Sequence, residues 1–298
     1  MRLPFTEAFL DANGVSLHYE LAGGSGNSVV VLHELGGTLH SWDAVAPRLA
    51  ECFRVLRYDQ RGAGLSEKVR QEFTNDTLVE DFEALAAAVN LPPPYHFITV
   101  AAAATQALRF LEKHADRVGA LVLCNPAPGV DASRAAALDE RAAFAAREGM
   151  RASLPTTLAL SYPPNLGQRS AYEAYLGRYL ANDPVCFGFA FRALARTNML
   201  HMLPQIRCPA IVVAGRHDTV RPHAGSAELA ACPWAARRLW AWRNAIPTAS
   251  NASSSPIHLA NQRRKAVRNG KNGSRWRRSK ASKPWSSRPL RAGSRPRR

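Results

Sequence analysis

The sequence predicts an α/β protein with a mostly parallel sheet covered by helices on both faces, and three observations predict it. Short apolar runs alternate with helix-like segments over the first 130 residues. Several of those runs, VVVLH at 29–33, HFITV at 96–100 and VGALVLCNP at 118–126, are unbroken instead of alternating. Glycine-rich breaks such as GGSGN at 23–27 separate them. An unbroken apolar strand has no solvent face, and crossover helices on both sides of a parallel sheet give it that environment.

The elements follow in order. Asn13-Gly14 between two apolar runs signals a two-residue hairpin turn, because both central positions of such a turn need positive φ. The pattern becomes helical from Trp42 to about Ala50, and FRVLRYD at 53–59 is a strand again. Thr77-Leu78-Val79-Glu80 reads as a capping box, with Leu78, Phe82, Leu85 and Val89 following at helical spacing. HFITV, TQALRFLEKHA, VGALVLCNP and AIVVAG at 210–215 then read as strand, helix, strand and strand. Between 131 and 203 the strand rhythm stops. That stretch is rich in Ala and Arg and is broken by SYPPN at 161–165 and by Asn182-Asp183-Pro184. It predicts an inserted helical lid, since sites at the carboxyl ends of sheet strands need a cover against water. A helical subdomain that only buries surface is the alternative.

Charge divides the chain. Of 39 Lys and Arg, 18 fall between Leu229 and Arg298, where there is no Asp or Glu, so the first 228 residues carry 21 basic against 23 acidic side chains. Five of the six tryptophans also lie beyond residue 233. The expected organisation is a core at 1–232 and a basic, Trp-, Arg-, Ser- and Pro-rich tail at 233–298. Two readings of the tail stand: a stretch of altered reading frame, whose composition a high-GC gene read out of frame would give, or a disordered arm that binds nucleic acid through its charge, with Trp276 and Trp285 stacking on bases. No apolar run reaches the roughly 20 residues of a membrane span, and no signal-peptide core is present, so a cytoplasmic protein is expected. Five scattered cysteines without C-x-x-C spacing suggest reduced, mostly buried thiols and no metal.

Three segments carry a family likeness. His33-Glu34-Leu35-Gly36-Gly37 follows a strand, Tyr58 to Ser66 spells YDQRGAGLS, and Ala214-Gly215-Arg216-His217-Asp218 ends another strand. Residues 9–230 resemble an α/β-hydrolase, and within that superfamily the 3-oxoadipate enol-lactonase group. The resemblance implies hydrolysis of a small lactone or ester without a cofactor, an oxyanion hole from the backbone N–H groups of Leu35 and Ala102, and Asp218 as the acid of a catalytic triad. Acyl transfer needs N–H donors aimed at the developing oxyanion, and the pair Gly36-Gly37 lets the main chain approach. His33 bounds the loop, and a structural role suits a lone histidine there; Asp59 is free to pair with Arg61 without touching substrate.

Two expected groups are missing. The strand-turn-helix at 96–108 reads HFITVAAAATQAL, and aligning it through ADRVGALVLCNPA puts Ala101 where the family has its serine. A methyl group cannot attack a carbonyl. Thr99 and Thr105 are the nearest hydroxyls, and neither suits the elbow. Beyond the acid, Asn244-Ala245-Ile246-Pro247 puts Ala245 where the family's GHxP turn has histidine; His217 and His223 read as solvated neighbours, and His258 falls at the wrong spacing. Three functions remain open: weak or absent hydrolysis of a small lactone or ester, binding of a small carbonyl ligand without turnover, and nucleic-acid binding confined to the tail. Oligomeric state has no signal.

Overall fold

A computed structural model describes residues 5–130, 132–161 and 169–215, with 218 and 220. The tail, Ala245, His217, His223, His258 and the SYPPN break lie outside the described residues, apart from the backbone of its first residue, Ser161. Strands β1 (Thr6–Ala12) and β2 (Val15–Ala22) form the hairpin, closed by Asn13 and Gly14 at φ 52° and 70°. Both values lie in the left-handed region that the two-residue turn demands. β3 (Ser28–Leu32) is buried at every position. A short helix α1 (Ala46–Leu49) leads into β4 (Arg54–Tyr58), and α2 (Asn75–Ala88) into β5 (Tyr95–Val100). α3 (Ala103–Lys113), β6 (Val118–Cys124) and, far along the chain, β7 (Ala210–Val213) complete the sheet layer.

The described strands form one sheet in the order β1-β2-β4-β3-β5-β6-β7. β1, β2 and β4 pair antiparallel, and β4, β3, β5, β6 and β7 run parallel. Apolar clusters lie on both faces. On one, Val79, Phe82 and Leu85 of α2 and Leu108 and Phe110 of α3 pack on Phe97 and Leu121. Phe82, Tyr95, Phe97 and Phe110 meet there mostly edge to face, with centroids 5.1 to 6.2 Å apart, the arrangement ring quadrupoles favour. On the other face Trp42 and Ala46 cover Val29, Val31 and Val55.

The sequence reading of α2 is corrected at its start. Thr74, not Thr77, is the N-cap: its hydroxyl accepts the Thr77 N–H at 3.2 Å, and Thr77 returns the bond to the Thr74 N–H. The helix gains a turn because Asn75, at its first position, donates to the Thr105 carbonyl of α3 at 3.0 Å. The thiols are also less buried than expected. All four described cysteines are free, but only Cys186 is fully buried and Cys52 is exposed.

Between β6 and β7 the chain is helical: α4 (Ala132–Glu148), α5 (Leu158–Ser161), α6 (Arg169–Leu180) and α7 (Pro184–Ala195). These helices have an apolar cluster of their own, with Ala142, Ala145, Met150, Tyr179, Phe187 and Phe191 at its centre. The Asn182-Asp183-Pro184 break starts α7. Asp183 accepts from the Val185 and Cys186 amides, and Pro184 fills the first helical position, where no N–H is needed. Among the described residues, no helix is long and apolar enough to cross a membrane.

Candidate active site

Three loops at the carboxyl ends of the parallel strands build the site, which is where open α/β sheets place ligands. The loop after β3 is held by His33, which is buried. Its Nε2 accepts the Gln60 N–H at 3.0 Å, so the proton is on Nδ1, which donates to the Glu34 carbonyl at 2.8 Å. The Gln60 side chain donates in turn to the His33 carbonyl. His33 therefore ties two loops together with both ring nitrogens and has none left for chemistry. Gly36, at φ 82°, passes beneath the inserted helices; a Cβ there would come within 2.9 Å of the Tyr179 ring. Gly37 closes the turn by donating to the Glu34 carbonyl.

The turn after β5 is sharp. Four described non-glycine residues have positive φ: three are Asn, which tolerates that region, and the fourth is Ala101 at 55°. The turn is tied to β6, since the Ala101 amide donates to Cys124 and its carbonyl accepts from Ala104 and Ala127. Among the described residues, the amides of Leu35 and Ala102 have no protein acceptor. Thr99 is fully buried in the sheet, and Thr105 donates to the Ala102 carbonyl at 2.8 Å. Neither hydroxyl takes the turn position.

The third loop contains a residue that sequence reasoning passed over. Asn125 follows β6 directly, at φ 42°. Its side-chain N–H₂ donates to Asp218 at 2.6 Å, and its carbonyl oxygen accepts the Gly215 amide. The other Asp218 oxygen accepts the Val220 amide at 2.9 Å. Asn125 thus clamps the acid to the end of β7. The quoted run CNPA already held the signal, a side-chain amide immediately past a buried strand.

Asp59 takes a different partner from the one expected. Its carboxylate accepts from the His18 ring at 2.8 Å and from the Leu39 and Leu65 amides at 2.7 and 2.8 Å. Burial opposes its charge, but the bonds from the Leu39 and Leu65 amides and from His18 prevail and hold the carboxyl below its usual range. Arg61 turns away and binds Asp81 through two nitrogens. His18 lies on β2, and Asp59 reaches it because β2 and β4 are neighbours in the sheet.

A cavity of about 760 Å³ opens over these loops. Leu35, Ala101, Ala102 and Asn125 form its floor side, and the inserted helices contribute Leu138, Tyr175, Phe187 and Phe191. Gly36 and His33 border a smaller cavity of about 60 Å³ behind the first loop, together with Ala102. Asp218 meets the larger cavity through its partners Asn125 and Val220, while Gly37 borders neither. Glu34, on the wall, accepts from Ser41 at 2.9 Å and bonds Tyr175, whose phenol is pushed up by burial and by that carboxylate. Among the described residues, no three His, Cys, Asp or Glu side chains gather as a metal site.

Comparison with known proteins agrees with this architecture. The family model described as alpha/beta hydrolase fold matches residues 27–239. A hydrolase from Pseudomonas aeruginosa PA01 is similar at 30% identity, covering 76% of this chain and 86% of that one with a TM-score of 0.70. The enol-lactonase from Burkholderia xenovorans LB400 is similar at 27% identity, covering 75% and 86%, also at 0.70. The 2-hydroxy-6-oxo-6-(2'-aminophenyl)hexa-2,4-dienoic acid hydrolase of Metapseudomonas resinovorans is 29% identical over 126 residues, which cover 41% of this chain and 43% of that protein. The chain spans less than half the length of the first curated relatives it matches. With the seven-stranded sheet, its helical insertion and a family model covering most of the chain, the protein belongs to the α/β-hydrolase fold family.

Proposed function

We propose that the cavity binds a small carbonyl compound, an ester or lactone, with its carbonyl oxygen toward the Leu35 and Ala102 amides, and that acyl transfer through a serine does not take place. The observation that carries this reading is Ala101. It holds the left-handed turn geometry that raises a nucleophile at a strand end, and it borders the cavity with a methyl group. Two amides without protein acceptors on the same wall support an oxyanion site. Asn125, by fixing Asp218, supports that carboxylate as the triad acid. The helices of residues 131–203 serve as the lid in this reading, since they supply the apolar wall that would exclude water. The relative described as an enol-lactonase supports a lactone as the ligand class.

Loss of a triad serine costs on the order of a millionfold in turnover, and the oxyanion hole and binding then leave only a residual rate. A fluorophosphonate probe applied to the full chain is expected to leave residues 99–105 unlabelled, while titration calorimetry detects binding of γ-butyrolactone. Stoichiometric labelling of Thr99 or Thr105 would refute the assignment. Ala101→Ser alone is expected to restore little reactivity, because nothing near it in the sequence provides the base.

A further inference from the structure

Away from the large cavity, Arg54 and Arg207 donate to backbone carbonyls and Arg48 and Arg151 are exposed, while most other described arginines are ion-paired. Arg57, Arg61, Arg70, Arg109, Arg117, Arg147, Arg169, Arg192 and Arg196 all have a carboxylate partner. The three that border the large cavity, Arg134, Arg141 and Arg178, have none among the described residues. Their placement is regular. Arg134, Leu138 and Arg141 recur at four and three residues on α4, so they share one helix face, and Tyr175 and Arg178 do so on α6. Of the acids on these two helices, Asp139 faces Arg192, Glu148 pairs with Arg147 and Glu173 with Arg169, and the exposed Glu140 does not border the cavity.

Two orphaned atoms sharpen this pattern. Among the described residues, the Nε of Arg178 and the Nε1 of Trp42 are buried without a hydrogen-bond partner, and both residues border the cavity. Both atoms are donors, so what each lacks is an acceptor, and leaving a buried donor unpaired is costly. The acidic residues of the wall do not supply it. Glu34 is taken by Ser41 and Tyr175, and Asp43 by Arg57 and His40. The Arg178 guanidinium also stands over the Tyr175 ring, 6.0 Å from its centroid, which restricts its orientation.

The geometry points to an anion subsite on the helical wall of this cavity, in which Arg178, assisted by Arg134 and Arg141, holds the carboxylate of a small organic acid whose body lies against Leu138, Phe187 and Phe191. The inference deepens the reading above, from which it takes the cavity as the ligand site. A guanidinium grips a carboxylate with two parallel N–H donors, and the interaction strengthens where water is scarce. An organic acid fits better than a bare inorganic ion, because apolar side chains line the same wall and the cavity volume is that of a small-molecule pocket.

The test uses the full chain and four probes measured by calorimetry: hexanoate, its uncharged analogue hexanamide, inorganic phosphate and γ-butyrolactone. Hexanoate is expected to bind about tenfold or more tightly than hexanamide, the factor a charge-assisted bond supplies, and to weaken as salt is raised. Arg178→Gln should erase most of that preference, and Arg178→Lys should retain part of it. Arg134→Gln, at an exposed position where folding is not at stake, should reduce it by a smaller factor. Equal binding of hexanoate and hexanamide, no binding of either, or a preference unchanged in Arg178→Gln overturns the subsite. Phosphate binding more tightly than hexanoate overturns the carboxylate assignment. Hexanoate binding with the predicted arginine dependence while γ-butyrolactone fails to bind would support the subsite and refute the lactone reading alone.

Discussion

Replacing Asp59 with Asn keeps the side-chain shape and removes one acceptor and the charge. In the native arrangement one carboxylate oxygen accepts from His18 and Leu65, and the other accepts from Leu39. If the amide oxygen keeps the first two bonds, its N–H₂ must face the Leu39 amide, donor against donor; the flipped amide sets its N–H₂ against two donors instead. Either way a buried His18 loses its buried counter-charge. Glu7, also bonded to that ring, is largely exposed at 59% and cannot replace it. Breaking one side of a buried charged pair costs about 3–5 kcal/mol, or about 10 °C in Tm for a domain of this size. Thermal and urea unfolding followed by circular dichroism at neutral pH would read this loss. Acid supplies an internal check. The folded carboxyl of Asp59 is held below its ordinary value, so its contribution is complete above the unfolded value near about pH 4 and is lost as pH falls through the lower, folded value. The gap between the two proteins must therefore narrow as pH falls below about 4. A loss under about 1 kcal/mol, or a gap that widens in acid, would refute the account of Asp59 as a charged anchor.

Gly36→Ala is expected to destabilise the fold by about 2 kcal/mol, from left-handed strain and the contact with Tyr179, and to weaken γ-butyrolactone binding; an unchanged Tm would count against the loop geometry. Asn125→Ala should barely alter global unfolding, yet hydrogen exchange at Gly215 and Val220 should accelerate, because the clamp on Asp218 is gone. Any nucleic-acid binding is expected to belong to residues 233–298 and to weaken steeply with salt. Salt-sensitive RNA binding retained by a folded form ending at Ala231 would refute that division.

What the sequence disclosed, and what it hid, follows from how far apart the partners are. The Asn13-Gly14 turn and the all-buried β3 are local features, written in conformational demand and in an unbroken apolar run. The bend at Ala101 was legible because flanking strand and helix align without a gap. Asp59 was different. Its partner His18 is 41 residues away and reaches it through sheet order, whereas Arg61, two residues on, was the nearer guess. The start of α2 slipped by a turn because Asn75 is held by α3, which no local pattern reports. Nothing local marks Arg134 and Arg141 within the Ala- and Arg-rich stretch, because the cavity they border is completed by strand-end loops distant in the chain.

The pairing of β6 with β7 also bears on the order in which the molecule is made. Leu121 stands opposite Ala210, about 90 residues later in the chain. Closing so long a loop adds little to the equilibrium cost, since each doubling of length costs about 0.6 kcal/mol, but distant contacts form slowly. During synthesis the hairpin, β3 to β6 and the insertion with its own apolar cluster all emerge before β7 does. Until then β6 is an open edge, ready to accept any strand that reaches it. Asn125, waiting at the end of β6, can engage Gly215 and Asp218 only after that docking, so the site is expected to be the last part of the described fold to be assembled on the ribosome.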